Sequence, residues 1–329
     1  MYWGLNIKFM HAVSVIIPTF NSVATLPRAI DSVLAQTRPA DEIIVVNDGS
    51  TDDTESVIAD RYPRARYPQL SYHFHENVGL AATRNAGAGL ATGSLLALLD
   101  SDDEWAPAKL ERQVAVLEAR PELAALGCHR VRVKIDEAGT ELWRRPSPRA
   151  DGTVDDISFA QEIWSNRICG ATMLLRRDVF ERHGGYDASM RASEDHDLWL
   201  RMLGAGDQLA VLREALYIFY DRPWSLRSRL DLLENSWRGI LAKWDPAASP
   251  DDTLLTSREY QKVCQWWWLK LTFHALRQGD RERARKYAQW AASHRSGVAG
   301  LEMATFLARH WPGLFALVGK VKGFPRPTG

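Results

Sequence analysis

The sequence predicts an α/β fold in which a mostly parallel sheet is flanked by helices, with a helical region at its C-terminal end. Two observations carry this prediction. Short apolar runs alternate with helical patterns over roughly the first 100 residues, and strands that alternate with helices typically form a parallel sheet. From about residue 230 onward, helical periodicity continues with little sign of strands.

The first two strands are predicted from runs rich in Val and Ile. Residues 13–17 form the first, and Thr25 is the expected cap of the next helix, with Pro27 in its first turn, where a missing N–H costs little. Residues 41–46 form the second strand, and a turn at 47–50 leads into a polar helix. This order indicates parallel pairing of the two strands.

The later elements are weaker or less regular in pattern. In order, they are a strand over 71–74, an alanine-rich helix over 79–90, a strand over 94–99, strands over 131–135 and 168–175, a short helix capped by Asp178 and a helix over 194–203 capped by Ser193.

Composition excludes several classes of protein. Lys plus Arg equals Asp plus Glu at 41 each, so no global charge indicates a nucleic-acid partner. Three separated cysteines without a C-x-x-C pair favour a reducing compartment, and we expect a cytoplasmic protein. No apolar stretch approaches the ~20 residues of a membrane span. We expect a disordered leader over 1–11, a main domain over 12–229 and a helical region over 230–329.

The helical region contains two features of its own. Residues 275–280, with Ala284 and Ala288, resemble one helix pair of the tetratricopeptide type, which would pack on the main domain or on a second copy in a homodimer. No acidic residue follows Glu302, and the basic, amphipathic segment 303–329 suits either contact with an anionic membrane surface at the inner face of the cytoplasmic membrane or packing on the domain.

The acidic run Asp100-Ser101-Asp102-Asp103 follows the fourth predicted strand directly. Ligands of open α/β sheets bind outside the carboxyl ends of the strands, so Thr19, Asp48 and this run are expected to converge. Hard cations such as Mg²⁺ take oxygen ligands, commonly one or two carboxylates plus phosphates. The run therefore predicts a metal–diphosphate site, although a solvated turn before the helix near Pro107 has the same pattern.

Five motifs together resemble glycosyltransferase family 2 over roughly residues 12–225. They are Val-Ser-Val-Ile-Ile-Pro-Thr-Phe-Asn at 13–21, Val-Val-Asn-Asp-Gly-Ser-Thr-Asp at 45–52, Asn-Val-Gly-Leu-Ala-Ala-Thr-Arg-Asn at 77–85, Asp-Ser-Asp-Asp at 100–103 and Ser-Glu-Asp-His-Asp-Leu-Trp at 193–199. The resemblance implies a GT-A type, Rossmann-like fold and metal-dependent, inverting transfer from a nucleotide-sugar donor, with UDP-hexoses favoured.

The resemblance also implies a role for each matching residue. The donor-side residues are Pro18, Thr19 and Phe20 around the base, Asp48 accepting a hydrogen bond from the base, Arg84 facing the nucleotide or diphosphate, and Asp100 near the ribose. Asp102 would hold Mn²⁺ or Mg²⁺, and Asp103 would be a second ligand or a supporting partner. Asp195 would be the base that takes the proton of the acceptor hydroxyl.

The chain departs from the family pattern after Tyr217. Members of the family often carry a histidine shortly after such a tyrosine, and here Arg222 stands near that place. Either Asp102, phosphates and water suffice for the metal, or Arg222 meets the diphosphate directly. His183 and His196 have no partner at ligand spacing, and we expect them on the surface or in loops.

Two other classes were weighed against a glycosyltransferase. Sugar-phosphate nucleotidyltransferases hold a triphosphate on a Gly-rich turn, but residues 17–28 contain no glycine. A nucleotide-sugar-binding or scaffold protein that acts through its helical tail is the non-enzymatic alternative, and the intact acidic residues argue against it. The acceptor is expected to be a glycan or lipid-linked glycan in bacterial surface-glycan or exopolysaccharide assembly.

Overall fold

The computed structural model describes residues 11–147, 150–222, 229–248, 254–294, 296–310 and 312–313. The predicted leader, apart from His11, and most of the basic segment 303–329 lie outside these residues. The chain divides into two compact units, Met1–Glu162 with Asn166–Pro223, and Ile163–Ser165 with Trp224–Gly329. The expected domain boundary at 229/230 stays a prediction.

The first unit contains the strands and most of the shorter helices. In chain order the elements to the end of its last strand are β1 (Val13–Thr19), α1 (Leu26–Leu34), β2 (Glu42–Asp48), α2 (Thr54–Arg61), β3 (Leu70–His75), α3 (Leu80–Leu90), β4 (Leu95–Leu98), β5 (Glu104–Trp105), α4 (Lys109–Ala119), β6 (Leu123–Ile135), β7 (Glu141–Pro146), β8 (Val154–Ile157), α5 (Phe159–Trp164), β9 (Leu174–Arg176), α6 (Arg177–Arg182), α7 (Glu194–Gly204) and β10 (Gln208–Asp221).

Within the described residues these strands form one sheet in the order β3-β2-β1-β4-β9-β6-β10-β5, with β7 beside β6 and β8 beside β10. The pairs β1–β2, β2–β3 and β1–β4 are parallel, as the sequence predicts, and so is β6–β10. β9 runs antiparallel to both of its neighbours. The carboxyl ends of β1, β2 and β4 therefore share one edge, where the polar motifs begin.

Several predicted details were wrong. The strand expected over 168–175 is short, because Gly170–Thr172 forms a 3₁₀ turn before β9; a buried apolar run has the same pattern in either conformation. The side chains of Thr25 and Ser193 make no capping hydrogen bond, although both occupy the position before a helix. The strand expected over 131–135 extends back to Leu123.

Alternate residues of the central strands bury on opposite faces of the sheet. Val15 and Ile17 of β1 pack in one apolar cluster with Ile30 of α1, whereas Ile16 packs in a second cluster with Leu198 of α7. Strands buried on both faces read as continuous apolar runs, which is why β1, β2 and β4 were visible in the sequence.

The second unit is helical, with α8 (Leu230–Lys243), α9 (Ser257–Arg277), α10 (Arg281–Ser293) and α11 (Ala299–His310). The indole N–H groups of Trp266 and Trp267, on α9, donate to the backbone carbonyls of Trp164 and Ile163 at 2.7 and 2.8 Å. The short segment 163–165 is thus held by α9 within this unit.

A tight turn joins α9 to α10. Gly279 has a positive φ of 79°, which favours glycine, and Asp280 caps α10 by accepting a hydrogen bond from the backbone N–H of Arg283 at 2.9 Å. The two helices form a helix–turn–helix where the sequence predicts one, and the tetratricopeptide resemblance stays a prediction.

Candidate active site

Arg84, on α3, lies buried between two carboxylates. It donates hydrogen bonds to Asp100 Oδ1 at 2.6 Å and to Glu194 Oε1 at 2.5 Å, and it is 3% exposed. Its guanidinium also lies 5.6 Å from the centre of the Tyr186 ring. Arg84 therefore joins the end of β4 to the start of α7. Both of its terminal nitrogens bond to protein carboxylates, whereas the sequence predicted that it faces the nucleotide.

Asp102 is the most exposed carboxylate of the acidic run, with 41% of its side chain accessible. Arg222 donates to its Oδ2 at 2.7 Å, and Arg28 donates to its backbone carbonyl at 2.8 Å. Burial, and then the negative charge of Asp100, raise the pKa of Asp102, while Arg222 lowers it. The run thus carries negative charge that a cation would stabilise.

Asp103 is the buried carboxylate of the acidic run, and its hydrogen bonds go to β10. It is 1% exposed, and it accepts hydrogen bonds from the hydroxyl of Tyr217 and, at 2.8 Å, from the backbone N–H of Tyr220. Burial, followed by the charges of Asp102 and Asp100, raises the pKa of Asp103 well above its usual range. Of the two roles left open by the sequence, this placement favours that of a supporting partner, which anchors the acidic run to β10.

Asp48, at the end of β2, organises the loop that precedes α3. Its Oδ1 accepts from the backbone N–H of Val78 at 2.7 Å and its Oδ2 from that of Gly79 at 3.0 Å. Asn77 donates to the backbone carbonyl of Asp48 at 2.9 Å. Only 5% of Asp48 is exposed, and both of its carboxylate oxygens accept hydrogen bonds from the backbone of this loop.

The end of β1 combines an exposed ring with a buried hydroxyl. Pro18 and Thr19 are buried in β1, whereas Phe20 is 49% exposed. Thr19 Oγ1 has no hydrogen-bond partner in the part of the chain that the structure describes. Aromatic faces stack on flat groups such as nucleobases. The exposed Phe20 ring therefore suits a nucleobase, whereas the Thr19 hydroxyl is buried.

Asp195 lies in the first turn of α7 with its carboxylate held from two sides. Its Oδ2 accepts from the backbone N–H of Gly170 at 3.0 Å and its Oδ1 from that of His196 at 2.7 Å. Burial is the main cause that raises the pKa of Asp195, and the charge of Asp100 adds to it, whereas Arg84 and both N–H groups lower it. A carboxylate held in one direction with a raised pKa has the properties of a general base.

Gly170 is required for the position of this carboxylate. A Cβ atom at residue 170 would lie 2.9 Å from Asp195 Cβ and 3.1 Å from its Oδ2. Real Cβ atoms are essentially never found closer than 3.0 Å to another heavy atom. The absent side chain lets the 3₁₀ turn approach α7 closely enough to donate its N–H.

The prediction for the histidines was wrong for His196. This residue is fully buried on α7, and its Nε2 lies 2.8 Å from the backbone carbonyl of Glu162. His183 ends α6, with its Nε2 2.5 Å from Asp207 Oδ2 and only 11% of its side chain exposed. His183 therefore lies in a turn, as expected, whereas the spacing along the sequence carries no information on the distant partner of His196.

Glu162 is a residue that the sequence analysis missed. It is fully buried, and its carboxylate accepts hydrogen bonds from the backbone N–H of Arg167. Burial raises the pKa of Glu162 to about 8, and the charge of Asp195 also raises it. No motif surrounds Glu162, so only a contact between distant segments could have identified it.

The acidic run fits a divalent metal ion in its donor chemistry. No group of three or more His, Cys, Asp or Glu side chains among the described residues is arranged to hold a metal. Asp100 and Asp102 nevertheless offer carboxylate oxygens on partly exposed side chains, and Mg²⁺ and Mn²⁺ prefer such ligands. The run thus fits an ion that takes its remaining ligands from a diphosphate and water.

The motif-bearing part of the chain matches a known family. The model of the family described as glycosyl transferase family 2 matches residues 14–184, slightly more than half of the chain. This chain belongs to glycosyltransferase family 2. The predicted family is therefore confirmed.

Relatives of this glycosyltransferase occur in several bacteria. An uncharacterized glycosyltransferase of Rickettsia prowazekii is 30% identical over 239 residues, which cover 70% of this chain and 72% of the relative. The amylovoran biosynthesis glycosyltransferase AmsE of Erwinia amylovora is 28% identical over 205 residues, covering 62% of this chain and 74% of AmsE. These matches agree with the family assignment.

Solved structures support the fold of the glycosyltransferase. S. aureus TarS 1-349 superposes with a TM-score of 0.60 at 16% identity, covering 97% of this chain and 98% of TarS 1-349. The same protein in complex with UDP-GlcNAc gives a TM-score of 0.64, also at 16% identity and with the same coverage of both chains. The predicted GT-A type α/β fold with C-terminal helices is confirmed. None of the helices in the described ranges is both long and apolar enough to cross a membrane.

Proposed function

We propose that this glycosyltransferase moves a hexose from a UDP-linked donor to an acceptor hydroxyl, with inversion at the transferred carbon. One observation carries the proposal. Arg84 bonds both to Asp100, at the end of β4, and to Glu194, next to Asp195. It thereby links the carboxylate assigned to the donor, Asp100, to the helix turn that carries the assigned base, Asp195. The UDP-GlcNAc complex of TarS, which shares the fold, supports the donor class.

The donor would bind across the carboxyl ends of β1, β2 and β4. The uracil would stack on Phe20, which is 49% exposed, and meet Thr19 and Asp48 with its polar edge. Asp100, with 33% of its side chain accessible, would face the ribose. Asp102 would lie at the diphosphate, where Arg222 already provides a positive charge.

The transfer itself needs a base on the face of the sugar opposite the diphosphate. Asp195 would take the proton of the acceptor hydroxyl as that oxygen attacks, and the N–H groups of Gly170 and His196 fix the direction of its carboxylate. Negative charge grows on the departing diphosphate, and Arg222 would bond to it. A divalent ion held by Asp102 would supply Lewis-acid stabilisation of the same charge.

Nucleotide binding tests the donor assignment. Thermal unfolding would be measured with UDP, GDP, dTDP, CMP and ADP, each with Mn²⁺, with Mg²⁺ and with EDTA. A ligand that binds only the folded state stabilises it by ~2.7 kcal/mol at a hundred times its dissociation constant. We expect the largest, metal-dependent shift with UDP; an equal or larger shift with another nucleotide, or none at all, would contradict the assignment.

Replacement of the base tests the catalytic assignment. Asp195→Asn should lower the rate of UDP release from UDP-hexoses about 10²- to 10⁴-fold, the usual range for a lost general base, while the thermal shift with UDP persists. Asp178→Asn makes the same change on an exposed residue in the first turn of α6. It should leave both the rate of UDP release and the thermal shift with UDP unchanged. Unaltered turnover in Asp195→Asn would remove Asp195 as the base.

We also propose that the acceptor is a glycan or lipid-linked glycan at the inner face of a bacterial membrane. The name of AmsE, a relative in amylovoran biosynthesis, supports a role in glycan assembly. Met303 and Phe306 on α11 are 60% and 48% exposed, and Lys320, Lys322 and Arg326 follow with no acidic residue between. A sequence that combines apolar and basic residues in this way can bind anionic lipid.

Liposome binding separates this membrane proposal from simple packing of the tail. Full-length protein with all three of these basic residues changed to Gln should bind anionic vesicles more weakly by about 1 kcal/mol for each charge removed. Neutral vesicles provide the comparison in lipid charge. Equal binding of the variant and the unchanged protein to anionic vesicles would refute membrane contact through these charges.

A further inference from the structure

Arg222 makes two contacts with one acidic residue. Its Nη1 donates to Asp102 Oδ2 at 2.7 Å and its Nη2 donates to the Asp102 backbone carbonyl at 3.1 Å. The arginine side chain is 9% exposed, whereas that of Asp102 is 41% exposed. The Arg222 guanidinium thus covers one side of Asp102 and leaves the rest of this carboxylate open to solvent.

The position of Arg222 is fixed by the end of β10. Tyr220 donates its backbone N–H to Asp103 at 2.8 Å, and Asp221 forms ion pairs with Arg132 and with Lys134. These contacts come directly before Arg222 in the chain. The guanidinium is therefore presented to Asp102 by a strand end that is itself bonded to the acidic run.

Each of the two partly exposed carboxylates of the acidic run already has an arginine beside it. Asp100 is paired with Arg84 and Asp102 with Arg222. A divalent ion that binds Asp102 must share that carboxylate with a fixed positive charge or displace it, and like charges at short range repel strongly. A nucleoside diphosphate would change this balance, because it offers Arg222 another anion.

We propose that Arg222 competes with the divalent metal ion for Asp102 in the donor-free protein and turns to the diphosphate when the donor binds. Metal affinity is then low without nucleotide and rises when the diphosphate is present. This inference rests on the proposed function, since it assumes that the metal and the diphosphate share the acidic run.

Binding of Mn²⁺ in the absence of nucleotide tests the competition directly. The free-Mn²⁺ signal in electron paramagnetic resonance would be titrated with full-length protein, the Arg222→Gln variant and the Arg222→Lys variant. Arg222→Gln should bind Mn²⁺ about tenfold more tightly, the scale of one charge-assisted hydrogen bond. Arg222→Lys keeps the charge without the two-pronged contact and should fall between them.

Two controls isolate the effect. Arg120→Gln removes the same charge beyond the end of α4, where Arg120 pairs with Glu122 and Asp156, and should leave Mn²⁺ affinity unchanged. Asp102→Asn should abolish the tight binding when it is combined with Arg222→Gln. Circular dichroism checks folding, and the lysine variant still decides the question if the glutamine variant does not fold.

The same titration with UDP present distinguishes failure of the Arg222 competition from failure of the proposed function. UDP should increase the Mn²⁺ affinity of the unchanged protein more than that of Arg222→Gln, because only the former has an arginine to redirect. If UDP stabilises the protein but neither Arg222 variant binds Mn²⁺ more tightly, the competition is refuted and the proposed function stands. If neither UDP nor Mn²⁺ binds, both are refuted.

Discussion

Replacing Arg84 with methionine should destabilise the first unit severely. Arg84 is 3% exposed and lies between Asp100 and Glu194. Methionine replaces the unbranched stem of arginine, so the change removes the charged guanidinium and leaves most of the apolar packing. The two carboxylates then lose their shared cation.

The magnitude follows from the burial of the two acids. Glu194 is 5% exposed, and removing one partner of a buried ion pair costs about 3–5 kcal/mol, because the remaining charge is left without compensation. Asp100 keeps 33% of its side chain in solvent. Loss of its ion pair with Arg84 should therefore cost as little as loss of a surface ion pair, roughly 0–1 kcal/mol. The expected loss of about 3–5 kcal/mol is a large part of the ~5–15 kcal/mol that stabilises a typical domain.

Urea unfolding followed by tryptophan fluorescence would measure this loss. The double variant Arg84→Met/Glu194→Gln should recover part of it, because the glutamine leaves no buried charge behind. Arg64→Met, on an exposed residue, is the matched control and should change stability by less than about 0.5 kcal/mol. A loss below about 1 kcal/mol in Arg84→Met, or no recovery in the double variant, would show that the bridge does not hold the unit together.

Two further predictions concern other buried contacts. Gly170→Ala should displace Asp195 and lower turnover by about 10²-fold, the scale expected for a shift of about 1 Å, while UDP binding is retained. Gly89→Ala is the control, because a Cβ at residue 89 has open space around it. Equal turnover in the two variants would count against the close approach of Gly170 to Asp195. Burial lowers the pKa of Lys109 to about 8 from 10.5, so its charged form opposes folding by roughly 3 kcal/mol below pH 8. The stability advantage of Lys109→Met in urea unfolding should therefore be full at pH 7 and shrink as the pH rises from 8 to 10.5; an advantage that grows over this range would refute the assignment.

The parallel half of the sheet could be predicted because its information is local. β1, β2 and β4 are continuous apolar runs, and each is followed at once by a polar motif. The chain direction of parallel strands then places those motifs at one edge without any knowledge of side-chain contacts. The helix that begins at Glu194 was also predicted from a local pattern, which ends at Gly204.

The partners of the site residues could not be predicted, because they join segments far apart in the chain. Arg84 meets Glu194 across 110 positions and Asp102 meets Arg222 across 120. The family resemblance implied that Arg84 faces the nucleotide or its diphosphate, and it left two roles open near Arg222. The antiparallel direction of β9 could not be predicted for a related reason, since it depends on pairing with β4 and β6.

The two tryptophan bonds of α9 have a consequence for how the protein could be shortened or recombined. Segment 163–165 belongs to the helical unit but is flanked on both sides by the chain of the other unit. A single cut near residue 229 would leave the carbonyls of Ile163 and Trp164 without their indole donors, and a buried acceptor that loses its partner costs about 1–3 kcal/mol. The exchangeable module is therefore discontinuous, and a hybrid that swaps the C-terminal helices must carry a matching 163–165 segment with them.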